Sequence, residues 1–223
     1  MDKTVLKRLL KRVHAVNEHY GFLAWDPAMI EQRPLGDPGP GYPRLYPPST
    51  TSPRLFMSYG WSRDEKHRVY ESDLWVDAFA GWLFGRGYEI WFDRDPRNFE
   101  LGLNAYQVLV RMNDCNYYIP VITNEFVERV ANSNGVGPLV WEWEHALRMY
   151  PRYLTIIAIW LSGDLPAPLN AENTVDIRDE PSPWGERLEA IFPKAAPGKP
   201  GVPRIPAPER PPDPESWPAL IPY

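Results

Sequence analysis

Between residues 54 and 192, short apolar runs of strand length alternate with longer helical segments, and this alternation constrains the fold more than any other feature. Strands are predicted at 54–58, 88–92, 116–122, 153–161 and, as a short fifth, 174–177. Helices are predicted at 67–84, 103–112, 125–130, 139–150 and 184–192. Such a pattern predicts an α/β fold, a doubly wound parallel sheet of about five strands covered by helices on both faces. In folds of this kind, ligands bind beyond the carboxyl ends of the strands.

Proline marks the segments on either side of this region. Because proline lacks an amide hydrogen and has a fixed φ, the proline-rich residues 34–53 are predicted to form an extended linker. Residues 193–223 are predicted to be a tail that cannot form a core of its own, either docked as a strap or disordered. The first segment, 1–33, contains a basic amphipathic helix at 4–20. The globular domain is therefore expected at 54–192.

Composition excludes several classes of protein. A net charge of −5 does not favour nucleic acid as the main partner. The single cysteine, Cys115, rules out an intrachain disulfide and indicates a reducing compartment. The longest apolar run, 154–161, is too short to span a membrane. The four histidines have no metal-ligand spacing, and no CxxC motif occurs. We therefore expect a soluble, cytoplasmic protein without a bound metal.

Two glutamates of the predicted helix at 139–150 differ in their position relative to its apolar face. Apolar residues recur at i, i+4, i+7, i+8 and i+11 from Leu139, which defines that face. At about 100° per residue, Glu142 lies just off the face and has no cation four residues on. Glu144 points further round and has Arg148 at i+4, the spacing of a surface ion pair. The ion pair accounts for Glu144, whereas Glu142 is left as the candidate functional carboxylate.

Five short motifs in order resemble the Toll/interleukin-1 receptor (TIR) domain family of bacterial type, over residues 54–192. The first two are Phe56-Met57-Ser58-Tyr59, where the family has F-I-S-Y, and Tyr88-Glu89-Ile90-Trp91-Phe92-Asp93, a strand with a terminal aspartate. Tyr118-Ile119-Pro120-Val121-Ile122-Thr123 resembles the third strand. The last two are Val140-Trp141-Glu142-Trp143-Glu144-His145-Ala146-Leu147, similar to W-V-x-x-E-V-E-x-A-L, and Asp176-Ile177-Arg178. The proline-rich flanks lie outside the family pattern.

The resemblance implies a flavodoxin-like fold and cleavage of NAD⁺ at the nicotinamide glycosidic bond, with NAD⁺ as substrate and no cofactor. Aligned on Ala146-Leu147, the catalytic glutamate of the family falls on Glu142. Pro138 replaces the tryptophan that usually precedes this glutamate by four residues, so Glu144 is the fallback. A carboxylate beside the ribose would stabilise the oxocarbenium-like transition state, and the departing nicotinamide is neutral and needs no strong acid.

Further substrate-binding candidates follow the first two strands. Tyr59 and Trp61 could hold the nicotinamide and adenine rings, and Ser58 could bond a ribose or phosphate oxygen. Arg63, Arg94 and Arg97 are candidate phosphate ligands, and Asp93 is expected to shape its loop.

Two other functions fit the same pattern. A non-catalytic TIR module would use the fold as a scaffold for signalling assemblies, and a nucleoside deoxyribosyltransferase-like enzyme would also place a glutamate against a ribosyl centre. The family pocket is often completed by a second protomer, so we expect activity to depend on homo-oligomeric assembly or on a partner in prokaryotic defence or signalling. The helix at 4–20, the proline tail and Trp141, whose indole is predicted to be exposed, are candidate contacts. The product, ADP-ribose or a cyclic form, is left open.

Overall fold

The computed structural model of the chain describes residues 53–60, 71–92, 105–132, 137–179 and 186–209. The predicted helix at 4–20 and nearly all of the linker at 34–53 lie outside these ranges. So do Trp61, Arg63, Asp93, Arg94 and Arg97. The helix predicted at 67–84 and the tail at 193–223 are each described in part.

Six strands of the described residues form one sheet in which every pair is parallel. They are β1 Arg54–Tyr59, β2 Glu89–Trp91, β3 Tyr117–Ile122, β4 Thr155–Ile156, β5 Ala158–Trp160 and β6 Thr174–Asp176. The order across the sheet is β2-β1-β3-β5-β6, and β4 also pairs with β3. This confirms the predicted α/β architecture with a parallel sheet.

A single apolar stretch of sequence supplies both β4 and β5. The sequence predicts one strand at 153–161, and the structure has strand at 155–156 and 158–160, with a break at Ile157. The Ile157 amide still donates to the Tyr118 carbonyl at 3.0 Å, so the stretch continues alongside β3.

Helices lie between the strands in the order that the sequence predicts. They are α1 Glu71–Gly85, α2 Ala105–Asn113, α3 Asn124–Asn132, α4 Pro138–Met149 and α5 Glu186–Ile191. Proline is well tolerated at the first position of α4, because the amide of that residue would have no partner in the helix. No helix among the described residues is both long enough and apolar enough to cross a membrane.

Alternation along the central strands divides the buried residues into two cores, one on each face of the sheet. The first core joins Leu55, Met57 and Tyr59 of β1 to α1 and α5. The second core joins Phe56 of β1 and Tyr118 of β3 to α2, α3 and α4. All six residues of β1 and all six of β3 are buried, as expected for central strands with helices on both faces.

The proline-rich segment 193–209, called the strap below, packs along the amino edge of the sheet. The hydroxyls of Tyr117 and Thr155 donate to the carbonyls of Ile205 and Pro206, both at 2.9 Å. The Tyr88 hydroxyl, just before β2, donates to the Pro193 carbonyl at 2.9 Å. Of the two alternatives for the tail, this part is docked, and residues 210–223 lie outside the described ranges.

Candidate functional site

Ser58 and Glu142 form a buried pair at the carboxyl edge of the sheet. Ser58 is the fifth residue of β1 and lies on the same face as Phe56. Helix α4 runs back from that edge, so the first half of α4 stands beside the end of β1. The Ser58 hydroxyl donates to Glu142 Oε2 at 2.5 Å, and the two residues are 2% and 8% exposed. This distance is at the short end of the range for hydrogen bonds between two oxygen atoms.

The two glutamates of α4 differ in burial. Helical geometry places Glu142 just off the apolar face, and the structure buries it, whereas Glu144 is half-buried. The ion pair predicted between Glu144 and Arg148 is absent from the described part of the chain, where no such pair lies within 4.0 Å. Burial and the Ser58 contact, rather than the lack of a cation four residues on, distinguish Glu142.

Other positions along α4 differ from the sequence expectation. Trp141 is half-buried and packs against the second core, so its indole is not the exposed contact that the helical wheel predicts. Tyr150, predicted on the apolar face, follows the last helical residue and is 37% exposed. The chain turns away from the helix axis at this point, and the helical periodicity no longer applies to it.

Tyr118 is a third polar residue beside this pair, and the sequence analysis did not single it out. It is fully buried on the face that carries Ser58, since it pairs in register with Phe56. Burial raises the pKa of Tyr118 well above its usual value, and the negative Glu142 raises it further. The nearby Ser58 hydroxyl opposes this rise. The sequence signal that could have identified Tyr118 is the presence of two adjacent tyrosines in a predicted central strand, since alternation places one on each buried face.

Several aromatic rings of the second core lie on the face of the sheet that carries Ser58. Phe56 stacks on Trp91 with ring centroids 4.6 Å apart and lies 6.0 Å from the Tyr118 ring. Trp143, the residue after Glu142, lies 6.4 Å from Tyr118. Within the described ranges, the buried Trp91 Nε1 and Tyr118 hydroxyl have no hydrogen-bond partner.

Tyr59 does not join this group. It is 5% exposed and belongs to the first core, with Trp75 and Phe79 of α1. Successive residues of a strand point to opposite faces, so the structure brings Ser58 and Glu142 together and places the Tyr59 ring on the other side of the sheet.

Helix α3 packs directly against the end of β1. A methyl group at Gly60 would lie 2.6 Å from the amide nitrogen of Phe126 and 2.8 Å from the carbonyl carbon of Glu125. Phe126 then packs edge-on against Trp143, with ring centroids 5.8 Å apart. The close approach that a glycine allows at position 60 therefore brings the start of α3 next to the end of β1, two residues after Ser58.

His145 holds α4 against α2. It is fully buried, and its Nε2 lies 2.7 Å from Asn113 Oδ1, an acceptor, which assigns the proton to Nε2. Burial lowers the pKa of His145 to about 4, and the charge of Arg148 lowers it as well. The imidazole is therefore neutral near pH 7 and serves to hold the helix that carries Glu142.

A search for metal ligands and comparisons with known proteins add no further site. Among the described residues, no group of three or more His, Cys, Asp or Glu side chains could hold a metal ion. No protein-family model, curated protein or solved structure matches the chain. The candidate site is therefore the Ser58–Glu142 pair with its buried neighbours.

Proposed function

We propose that this chain is a TIR-like enzyme that cleaves NAD⁺ at its nicotinamide glycosidic bond, acting in the cytoplasm in prokaryotic defence or signalling. One observation carries the proposal. The glutamate that the family motif aligns with the catalytic position is also the carboxylate of α4 that is buried at the carboxyl edge, 2.5 Å from Ser58 Oγ. Buried carboxylates with specific partners are more common at functional sites than elsewhere.

The strand order supports a flavodoxin-like form of the fold. If β4 and β5 are counted as one strand, the sheet reads 2-1-3-4-5, the order found in flavodoxin-like proteins. In that order the ligand site lies between the first and third strands, where the connections diverge. Ser58 is on the first strand and pairs in register with Pro120 on the third. The position of the pair therefore supports a ligand site there, if the fold is of the flavodoxin-like form.

The proposed reaction needs one carboxylate near the ribose. The bond between ribose C1′ and the nicotinamide nitrogen breaks, and its electron pair leaves with nicotinamide, which departs neutral. Glu142 stabilises the ribosyl cation through charge and through bonds to the ribose hydroxyls. Water then adds to C1′ and releases a proton to give ADP-ribose, or an internal nucleophile adds to give a cyclic form. In the free protein, the Ser58 hydroxyl occupies a position that a ribose hydroxyl can take over.

Nicotinamide release from NAD⁺ tests the proposal, with Glu142→Gln and Glu144→Gln as matched variants on the same helix. The proteins are assayed at low and high concentration, because activity is proposed to depend on assembly. Removing the charge of Glu142 should lower kcat by about 10²-fold or more, the scale of a lost electrostatic stabiliser. Glu144→Gln should stay within about twofold of the wild type.

Two results would contradict this assignment. If the wild type releases no nicotinamide at any protein concentration, the enzymatic function is wrong and the scaffold function takes its place. If Glu144→Gln alone loses activity, the alignment of the helix motif is wrong by two residues. Thermal unfolding of each variant shows whether the protein remains folded.

A further inference from the structure

Tyr117 and Tyr118 are neighbours on β3 whose hydroxyls are in very different situations. The Tyr117 side chain belongs to the first core, and its hydroxyl donates to the Ile205 carbonyl at 2.9 Å. The Tyr118 side chain belongs to the second core, and within the described ranges its buried hydroxyl has no hydrogen-bond partner. Docking of the strap explains the presence of the Tyr117 hydroxyl. For Tyr118, phenylalanine would fill the same space without burying an unpaired polar group.

The surroundings of the Tyr118 hydroxyl connect it with the Ser58–Glu142 pair. Tyr118 pairs with Phe56, two residues before Ser58 on the same face of β1. Its ring lies 6.4 Å from that of Trp143, the residue after Glu142. Its pKa responds to both the Glu142 charge and the Ser58 hydroxyl, so both groups are close to it. A buried O–H donor therefore lies on the same face of the sheet as a carboxylate to which Ser58 already donates.

We propose that Tyr118 is a positioning residue for Glu142, an inference that rests on the NAD-cleaving function proposed above. When a ribose hydroxyl takes the place of Ser58 on the carboxylate, the Tyr118 hydroxyl donates to Glu142 and keeps it oriented towards the sugar. The unpaired phenol of the free protein is then a donor held ready for the bound state. The hydrogen bond from Tyr118 contributes most in the transition state, where the orientation of the Glu142 carboxylate matters most.

Tyr118→Phe tests this inference, with Tyr117→Phe as the matched control on the same strand. Tyr118→Phe should lower kcat for nicotinamide release by about tenfold or more and leave KM within about twofold. Its melting temperature should equal or exceed that of the wild type, because an unpaired buried hydroxyl is removed. Tyr117→Phe should do the reverse, with a lower melting temperature and an unchanged kcat at temperatures where it is folded.

A double-variant cycle tests the contact without relying on enzymatic activity. Melting temperatures are measured for Tyr118→Phe, Glu142→Gln and the double variant in the presence of ADP-ribose, whose ribose hydroxyls can take the place of Ser58 on the carboxylate. If the two groups interact, the shifts should depart from additivity by about 2 °C or more. Additive shifts, or a Tyr118→Phe enzyme with wild-type kcat, overturn the inference. If the wild type itself releases no nicotinamide, the proposed function fails, and the cycle alone decides whether Tyr118 positions Glu142.

Discussion

A methyl group at Gly201 would test how tightly the strap is held at the amino edge. The Cβ of an alanine at this position would lie 2.7 to 2.8 Å from three carbon atoms of the Tyr88 ring. The ring has little freedom to move, because it packs edge-on against Phe192 at 5.6 Å and its hydroxyl donates to the Pro193 carbonyl. The strap rather than the ring must shift in Gly201→Ala.

The free energy of this shift has a packing part and a hydrogen-bonding part. Inserting one methyl group into a well-packed site costs about 1–3 kcal/mol. The Gly201 amide donates to the Gly87 carbonyl at 2.8 Å, and breaking such a bond costs about 1 kcal/mol more. The free energy of unfolding should therefore fall by about 2–4 kcal/mol. For a protein of this size, each kcal/mol corresponds to about 2–4 °C, so the melting temperature should drop by at least about 4 °C.

Thermal unfolding followed by circular dichroism measures the effect, and Gly85→Ala provides the control. An alanine Cβ at Gly85, the last residue of α1, would have no atom within 4 Å. Alanine also favours a helix over glycine by about 0.5–1 kcal/mol, so Gly85→Ala should melt at or above the wild-type temperature. If Gly201→Ala also melts within about 1 °C of the wild type, the strap is not packed against Tyr88 and our reasoning about the amino edge is refuted.

Two further predictions concern the helices around the site. Gly60→Ala should destabilise the protein by about 1–3 kcal/mol and lower nicotinamide release, because its methyl group would meet the backbone of α3 at 2.6 Å; wild-type melting and kcat would contradict this. His145→Gln should reduce the loss of stability at acid pH. The pKa of His145 is about 4 in the folded protein and about 6.5 when unfolded. The unfolded wild type therefore binds a proton first, and about 3 kcal/mol is lost as pH falls from 6.5 to 4. Urea unfolding at several pH values should show that the free energy of unfolding falls less steeply with decreasing pH in the variant than in the wild type. Equal slopes for the two proteins would contradict this prediction.

The central elements of the fold could be predicted from the sequence because their signals are local. Arg54–Tyr59 and Tyr117–Ile122 are each within one residue of the predicted strands, since both are apolar runs buried on two faces. Helix α4 is likewise displaced by only one residue at each end. The predicted fourth strand at 153–161 is shorter in the structure, where it covers residues 155–160 and is divided into β4 and β5 at Ile157.

The polar contacts of the site could not be predicted, because they depend on residues far apart in sequence. A helical-wheel projection of α4 uses only the residues of that helix. It places Glu142 at the boundary of the apolar face. Its hydrogen bond is with Ser58, which is 84 residues away. The side of the sheet to which each tyrosine of β3 points follows from alternation. Whether its hydroxyl then meets a carbonyl or a carboxylate depends on which segment covers that face.

The strap and the Ser58–Glu142 pair lie at opposite edges of the sheet, so substitutions at the two places should have independent effects. The strap is held by Tyr117, at the start of β3, and Tyr117 pairs in register with Leu55. Ser58 lies three residues further along β1, or about 10 Å. At such distances, and with no shared partner, effects of substitutions are usually additive. The phenol of Tyr118 is different, because it shares a face with Ser58 and Glu142. Of the two adjacent tyrosines, only Tyr118 should therefore couple to the glutamate, and this contrast separates a role in the site from a role in the fold.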